Sequence, residues 1–162
     1  MTLISDAEMA DARTMWGNGL VAISKAFDSS GIDAATVVAN QVLDDCYAYE
    51  LGPVLFKPTM ASGDQTFRPT RDGGLSYFVG NNQDYPQDHG FGLRGWQKVE
   101  SQTAAVFTEG DIGLWMGNVR FYDQSGGITV VDKTWGYKRD RDGTLRIVLH
   151  HSSLPFEPSP VD

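Results

Sequence analysis

The chain has 162 residues, 41% of them hydrophobic and 21% charged, which suits one domain with a substantial core. Its formal net charge of -8 argues against a nucleic-acid partner, because such binding rests on Lys and Arg neutralising phosphates. One cysteine, Cys46, excludes an internal disulfide and a cysteine-rich zinc site. The start shows no basic segment followed by an apolar run, and no window reaches the roughly 20 apolar residues of a membrane span. The expectation is therefore a cytoplasmic protein with no membrane contact, no metal and no cofactor.

In chain order, Ser5 to Asp28 predicts a first helix. Ser5 with Glu8 forms a capping box, and Met9, Ala12, Trp16, Leu20, Ile23 and Phe27 recur at helical spacing. Gly17 and Gly19 each cost about 1 kcal/mol in a helix interior, a cost that fits close approach by a neighbour. Asp33 to Tyr47 predicts a second helix with Asp33 as N-cap, and Cys46 reads as a small buried hydrophobe within it. Gly52-Pro53 breaks the chain. Val54 to Thr59 and Gln65 to Thr70 predict two short strands joined by a turn at Ala61 to Asp64, and Pro58 and Pro69 confine them to edge positions. Arg71 to Val79 predicts a short third helix. Gly80 to Gly95 is a long loop rich in Asn, Gly, Asp and Pro, which suits a lid, a rim or a partner contact.

Trp96 to Thr108 predicts a strand, and Asp111 to Pro155 a three-stranded meander with turns at Ser125-Gly126-Gly127 and Asp142-Gly143. Residues 156–162 predict a loosely held tail. Helices first and antiparallel strands afterwards define an α+β fold in a single domain over residues 1–162.

Period-two alternation sorts the meander into faces. A turn centred on Ser125 sets Val119 opposite Val131, Gly117 opposite Lys133 and Trp115 opposite Trp135. One face then carries Trp115, Val119, Phe121, Val131, Lys133, Trp135, Tyr137, Ile147, Leu149 and His151. The other carries Asn118, Arg120, Asp132, Thr134, Arg146, Val148 and His150. The aromatic face is expected to pack on the helices, which turns Lys133 and His151 inward. Polar groups there either line a pocket or are paired and structural. A one-residue slip exchanges every assignment.

No phosphate loop, nucleophile elbow or His-Glu-x-x-His sequence is present. His89, His150 and His151 are the only histidines. The last two are adjacent in a strand, so alternation sends them to opposite faces.

The order of elements, together with Trp135, Tyr137, Lys138, Arg139, Asp142-Gly143, His151 and Ser152-Ser153, resembles the nuclear transport factor two-like superfamily, which includes the SnoaL-like proteins. Within it the calcium/calmodulin-dependent protein kinase II association domain is the nearest likeness. The resemblance implies a cystatin-like cone, a curved antiparallel sheet wrapped around the N-terminal helices with a cavity inside. It also implies a homodimer formed through the outer face, here Asn118, Arg120, Asp132 and His150. The pocket arginines of the kinase domains have no counterpart, and Lys133 is the nearby cation. Three functions are then open. One is a binding or oligomerising module holding a small organic ligand among Trp16, Tyr49, Phe56, Trp115, Lys133, Trp135 and His151. Another is a SnoaL-like lyase or isomerase with His151 as general base. The third is a purely structural dimerisation domain.

Overall fold

Ser5 caps the first helix as its spacing predicts. In the computed structural model, which describes residues 2–161, α1 spans Asp6–Ser30, the Ser5 hydroxyl accepts the Glu8 N–H, and the Glu8 carboxylate accepts the Ser5 N–H. The Arg139 guanidinium grips the same carboxylate at 2.7 and 2.9 Å. Together with the Ser5 N–H it pulls the Glu8 carboxyl down to about 2. Met9, Trp16, Leu20 and Ile23 form the buried stripe of α1. Its two internal glycines face neighbours: a Cβ on Gly17 would lie 3.0 Å from Val99, and one on Gly19 2.7 Å from Val42.

The second helix, α2, spans Ile32–Cys46. Gly31, at φ +85°, takes the N-cap position expected of Asp33, because the chain must turn through a left-handed conformation there. Cys46 is buried, and burial raises its thiol to about 12, as befits an inert core residue.

After α2 the expected strand pair does not form. A short strand, β1, spans Leu55–Lys57, but residues 65–70 remain irregular beyond a single 3-10 turn at Gly63–Gln65. Two backbone bonds still tie the segments, Val54 N–H to Pro69 and Arg68 N–H to Phe56. Pro69 has no N–H to extend a ladder, and Arg68 is drawn inward to pair with Asp88. The third helix, α3, spans Arg71–Val79 as predicted, with the Thr70 hydroxyl accepting the Gly73 N–H.

Four long strands follow: β2 Trp96–Glu109, β3 Ile112–Asp123, β4 Ile128–Arg139 and β5 Leu145–Ser153. The sheet order is β1-β5-β4-β3-β2. All pairings are antiparallel except β1 on β5, where Phe56 sits beside His150. The sheet curves around the helices in an α+β cone, with Trp16, Phe56, Phe78, Trp115, Phe121, Trp135 and Tyr137 filling the space between. No helix among the described residues is long and apolar enough to cross a membrane. Asp162, the last residue of the expected tail, lies outside the described residues.

The β3–β4 register agrees with the alternation, with Trp115 opposite Trp135, Gly117 opposite Lys133 and Val119 opposite Val131. The β4–β5 register does not. Tyr137 pairs with Ile147, but its neighbour Gly136 pairs with Leu149, so β5 holds one extra residue at a bulge. Beyond the bulge, Trp135 faces His150 and Lys133 faces Ser152. His150 is therefore interior, at 2% exposure, while His151 is exposed. The expected orientations of the two histidines are exchanged, and Leu149 moves to the outer side with His151.

Candidate active site

The bulge brings a set of polar side chains to the interior end of β5. His150 lies in an aromatic box, stacked on Phe56 at 4.5 Å between ring centroids and flanked by Trp135 at 5.4 Å and Trp16 at 5.6 Å. The Trp16 Nε1–H donates to the Tyr47 hydroxyl at 2.9 Å. Tyr47 has one proton of its own to give, and His150 Nδ1 lies 2.9 Å from its oxygen. This count makes Nδ1 the acceptor, so His150 carries its proton on Nε2. Burial holds the ring well below the usual histidine range and keeps it neutral.

Three hydroxyls lie further along the same side of the sheet. Ser152, two residues on and on the same face, has its Oγ 2.6 Å from Thr59 Oγ1. Thr59 follows β1, which its parallel pairing holds against β5. The Thr59 side chain also lies beside the Tyr77 hydroxyl, which accepts the Met60 N–H at 3.3 Å. Burial pushes the Tyr77 hydroxyl far above its ordinary range, so it remains a donor.

Tyr77 is carried by α3, whose position is fixed by a buried ion pair. Arg68 Nη1 and Nη2 bind the Asp88 carboxylate at 2.7 and 2.8 Å, and the Ser76 hydroxyl donates to it at 2.6 Å. Tyr85 covers the guanidinium at 4.5 Å. The long loop after α3 is thus a brace for Tyr77. A small cavity of about 100 Å³ opens beside Tyr77, lined by Met60, Asp88, His89, Phe91 and Arg94 among others.

Lys133 is the one charged side chain facing this interior cluster from β4. It is 4% exposed. Its Nζ sits 4.3 Å from the Trp16 ring, 4.7 Å from Trp135 and 5.3 Å from Phe121, and no ion pair joins it to a carboxylate among the described residues. Two effects compete. A desolvated cation–π contact favours the ammonium by about 2 kcal/mol or more, whereas removing an ammonium from water costs several kcal/mol. Desolvation wins, and the amine is pushed well below its ordinary range.

Of the residues expected to line a pocket, Trp16, Phe56, Lys133 and Trp135 surround this cluster. Trp115 lies one ring further away, 5.6 Å from Trp135, with its Nε1–H donated to Thr103. Tyr49 is outside: its hydroxyl donates to the Arg68 carbonyl, and it lines a separate groove of about 590 Å³ with Arg71 and Arg146. The arginines of that groove are already paired with Asp44 and Asp140. His151 lies on the opposite face of the sheet, in a groove with Asn118, Asp132 and Thr134. Asn118, Arg120 and Asp132 keep the outer orientation expected of them, Asn118 donating to Asp132 at 2.8 Å, but His150 does not join them. Sequence reasoning passed over Thr59, Tyr47, Tyr77 and Ser152, because their meeting is tertiary. Among the described residues no group of three or more His, Cys, Asp or Glu side chains is placed to hold a metal ion.

The interior end of β5 and its neighbours gather one imidazole N–H, three hydroxyls and an amine, a donor-rich arrangement suited to a compact oxyanion. The fold is shared with a protein from Xanthomonas campestris assigned as a calcium/calmodulin-dependent protein kinase II association domain: TM-score 0.60, 22% identity, 93% of this chain and 88% of that one. The superfamily resemblance therefore holds at the level of fold. The particular family is a different one. The sequence profile described as metal-independent carbonic anhydrase matches residues 7–154. A metal-independent carbonic anhydrase from Nostoc sp. (strain PCC 7120 / SAG 25.82 / UTEX 2576) is 49% identical over 154 residues, which is 95% of this chain and 75% of the relative. The crystal structure of a cyanobacterial iota-carbonic anhydrase complexed with bicarbonate superimposes with a TM-score of 0.94 at 49% identity, over 96% of this chain and 94% of that one. The chain belongs to the metal-independent carbonic anhydrase family. That membership overturns the expectation of a binding or oligomerising module without assigned chemistry. An organic ligand and a kinase association domain as nearest kin fall with it.

Proposed function

We propose that this protein interconverts carbon dioxide and bicarbonate at the cluster formed by Thr59, Tyr77, His150 and Ser152. The observation that carries the proposal is the grouping of these donors, His150 and Ser152 buried and Thr59 bonded to Ser152, in a chain 49% identical to a structure holding bicarbonate. In hydration, a water oxygen bonds to the carbon of carbon dioxide, and a C=O electron pair moves onto oxygen. The His150 N–H and the hydroxyls stabilise the charge that develops there, without reorganising during the step. Arg94 lines the cavity beside Tyr77 and the Lys57 amine donates to the Ser152 carbonyl; their charge offsets a net charge of -8 that would otherwise repel the anion.

The test is stopped-flow hydration of carbon dioxide followed with a pH indicator, on chelator-treated wild type and on Ser152→Ala and Tyr77→Phe. Wild type should be active, and each variant should lose about 100-fold, the usual cost of one oxyanion donor. Inactive wild type, or fully active variants, would overturn the proposal.

The dimer implied by the superfamily resemblance also belongs here. The outer face around Asn118, Arg120 and Asp132 exposes Phe107 and Met116 at 57% and 56%, apolar area that a second copy would cover. Light scattering on wild type and Met116→Asp tests it: a dimer that the charge dissociates supports the pairing, and a wild-type monomer removes it.

A further inference from the structure

The proton count of His150 leaves the reaction without an obvious base. Its Nδ1 is occupied by Tyr47 and its Nε2 already bears a proton, so it can hold an anion but cannot receive the proton that water loses. Two lysines stand near the cluster: the Lys57 amine donates to the Ser152 carbonyl at 2.8 Å, whereas the Lys133 amine, deeper in the core, has no hydrogen-bond partner among the described residues. Lys133 pairs across the sheet with Ser152, two pairs along from the Trp135–His150 pair and on the same face. Its cage is supplied by Trp16 from α1, Phe121 from β3 and Trp135 from β4. His150 on β5 is the titratable group electrostatically coupled to it, with Tyr47 behind. No carboxylate pairs with it among the described residues.

We infer that Lys133 is the internal proton acceptor of the hydration step, neutral when the site is empty and an ammonium when bicarbonate fills it. This rests on the carbonic anhydrase proposal. The step balances: the water oxygen bonds to carbon, a C=O pair moves to oxygen, and the water proton goes to the lone pair of Nζ. Carbon dioxide, water and amine become bicarbonate and ammonium. No net charge enters the dry interior, because the anion and cation arise together. Burial supports this cycle, since it disfavours the ammonium alone and relents when an anion is beside it. The Ser152–Thr59–Tyr77 hydroxyls then offer the proton a route outward.

Two measurements test this on the whole protein. In protein with 15N-labelled lysine, the side chains of Lys25, Lys57, Lys98, Lys133 and Lys138 can be separated, and Lys133→Met identifies the fifth signal. At pH 8 the Lys133 nitrogen should resonate as a neutral amine without bicarbonate and as an ammonium with saturating bicarbonate. An ammonium in the empty protein, an amine unchanged by bicarbonate, or a carbamate signal from direct attack on carbon dioxide would each overturn the inference. In the kinetic arm, Lys133→Met and Lys133→Arg should both lose about 100-fold or more in turnover, while Lys133→Arg, permanently charged, still binds bicarbonate. Turnover within about threefold of wild type in either variant would overturn it. Inactive wild type would instead remove the carbonic anhydrase proposal, with the lysine signal still read independently.

Discussion

The Tyr47 hydroxyl joins Trp16 Nε1 to His150 Nδ1 through two contacts of 2.9 Å, and this relay decides which histidine nitrogen faces the site. Tyr47→Phe removes it while keeping the ring. Two buried groups lose their partner, so stability should fall by about 1–3 kcal/mol. Turnover should fall as well, because the imidazole is no longer locked with its proton on Nε2. Thermal melts and stopped-flow assays read the two effects, and unchanged turnover would detach the tautomer from function.

The adjacent histidines should differ sharply. His150→Ala takes away a donor at the cluster and a ring from the aromatic box, with a loss of about 100-fold or more in turnover. His151→Ala, on the opposite face, should leave turnover unchanged. A reversed pattern would mean that the bulge does not form in solution.

Gly136 makes the bulge possible. A Cβ there would lie 2.9 Å from Leu149 Cβ and 3.1 Å from Leu114 Cδ2. Gly136→Ala should cost about 1–3 kcal/mol by overpacking, and should reduce turnover by displacing His150. A melt and a stopped-flow assay suffice; an alanine tolerated in both would remove the steric role.

Lys133 sets stability against function. Its amine is held well below its ordinary range by burial, so the unfolded chain holds this proton more tightly than the empty folded protein does. Stability from this site is therefore full above the unfolded value near 10.5 and falls as the pH drops below it. Lys133→Met removes the penalty and should raise stability at pH 7 by about 1–3 kcal/mol, while abolishing turnover. The gain should shrink as the pH is raised towards 10.5. Urea unfolding at pH 7 and pH 9.5 measures it, and a variant less stable than wild type at both would refute the assignment.

Much of the fold was legible in the chain. Ser5 and Glu8 announced the first helix, Arg71 to Val79 the third, and the Ser125 turn the β3–β4 register, because capping, periodicity and turn chemistry act between near neighbours. The bulge was hidden, although Gly136 in mid-strand was its one signal. The strand expected at residues 65–70 failed because Arg68 found Asp88, twenty residues away, a pairing that no local pattern encodes.

By itself, then, the sequence determined an α+β order of elements and an aromatic interior with Lys133 facing it. Those properties follow from side-chain period and burial, which add up along each segment. Which histidine enters the interior was decided only in the tertiary structure. One extra residue at Val148 and one missing side chain at Gly136 reverse the alternation for the rest of β5. The meeting of Thr59, Tyr77, His150 and Ser152 was also decided there, because it depends on where β1 and α3 dock against that reversed strand.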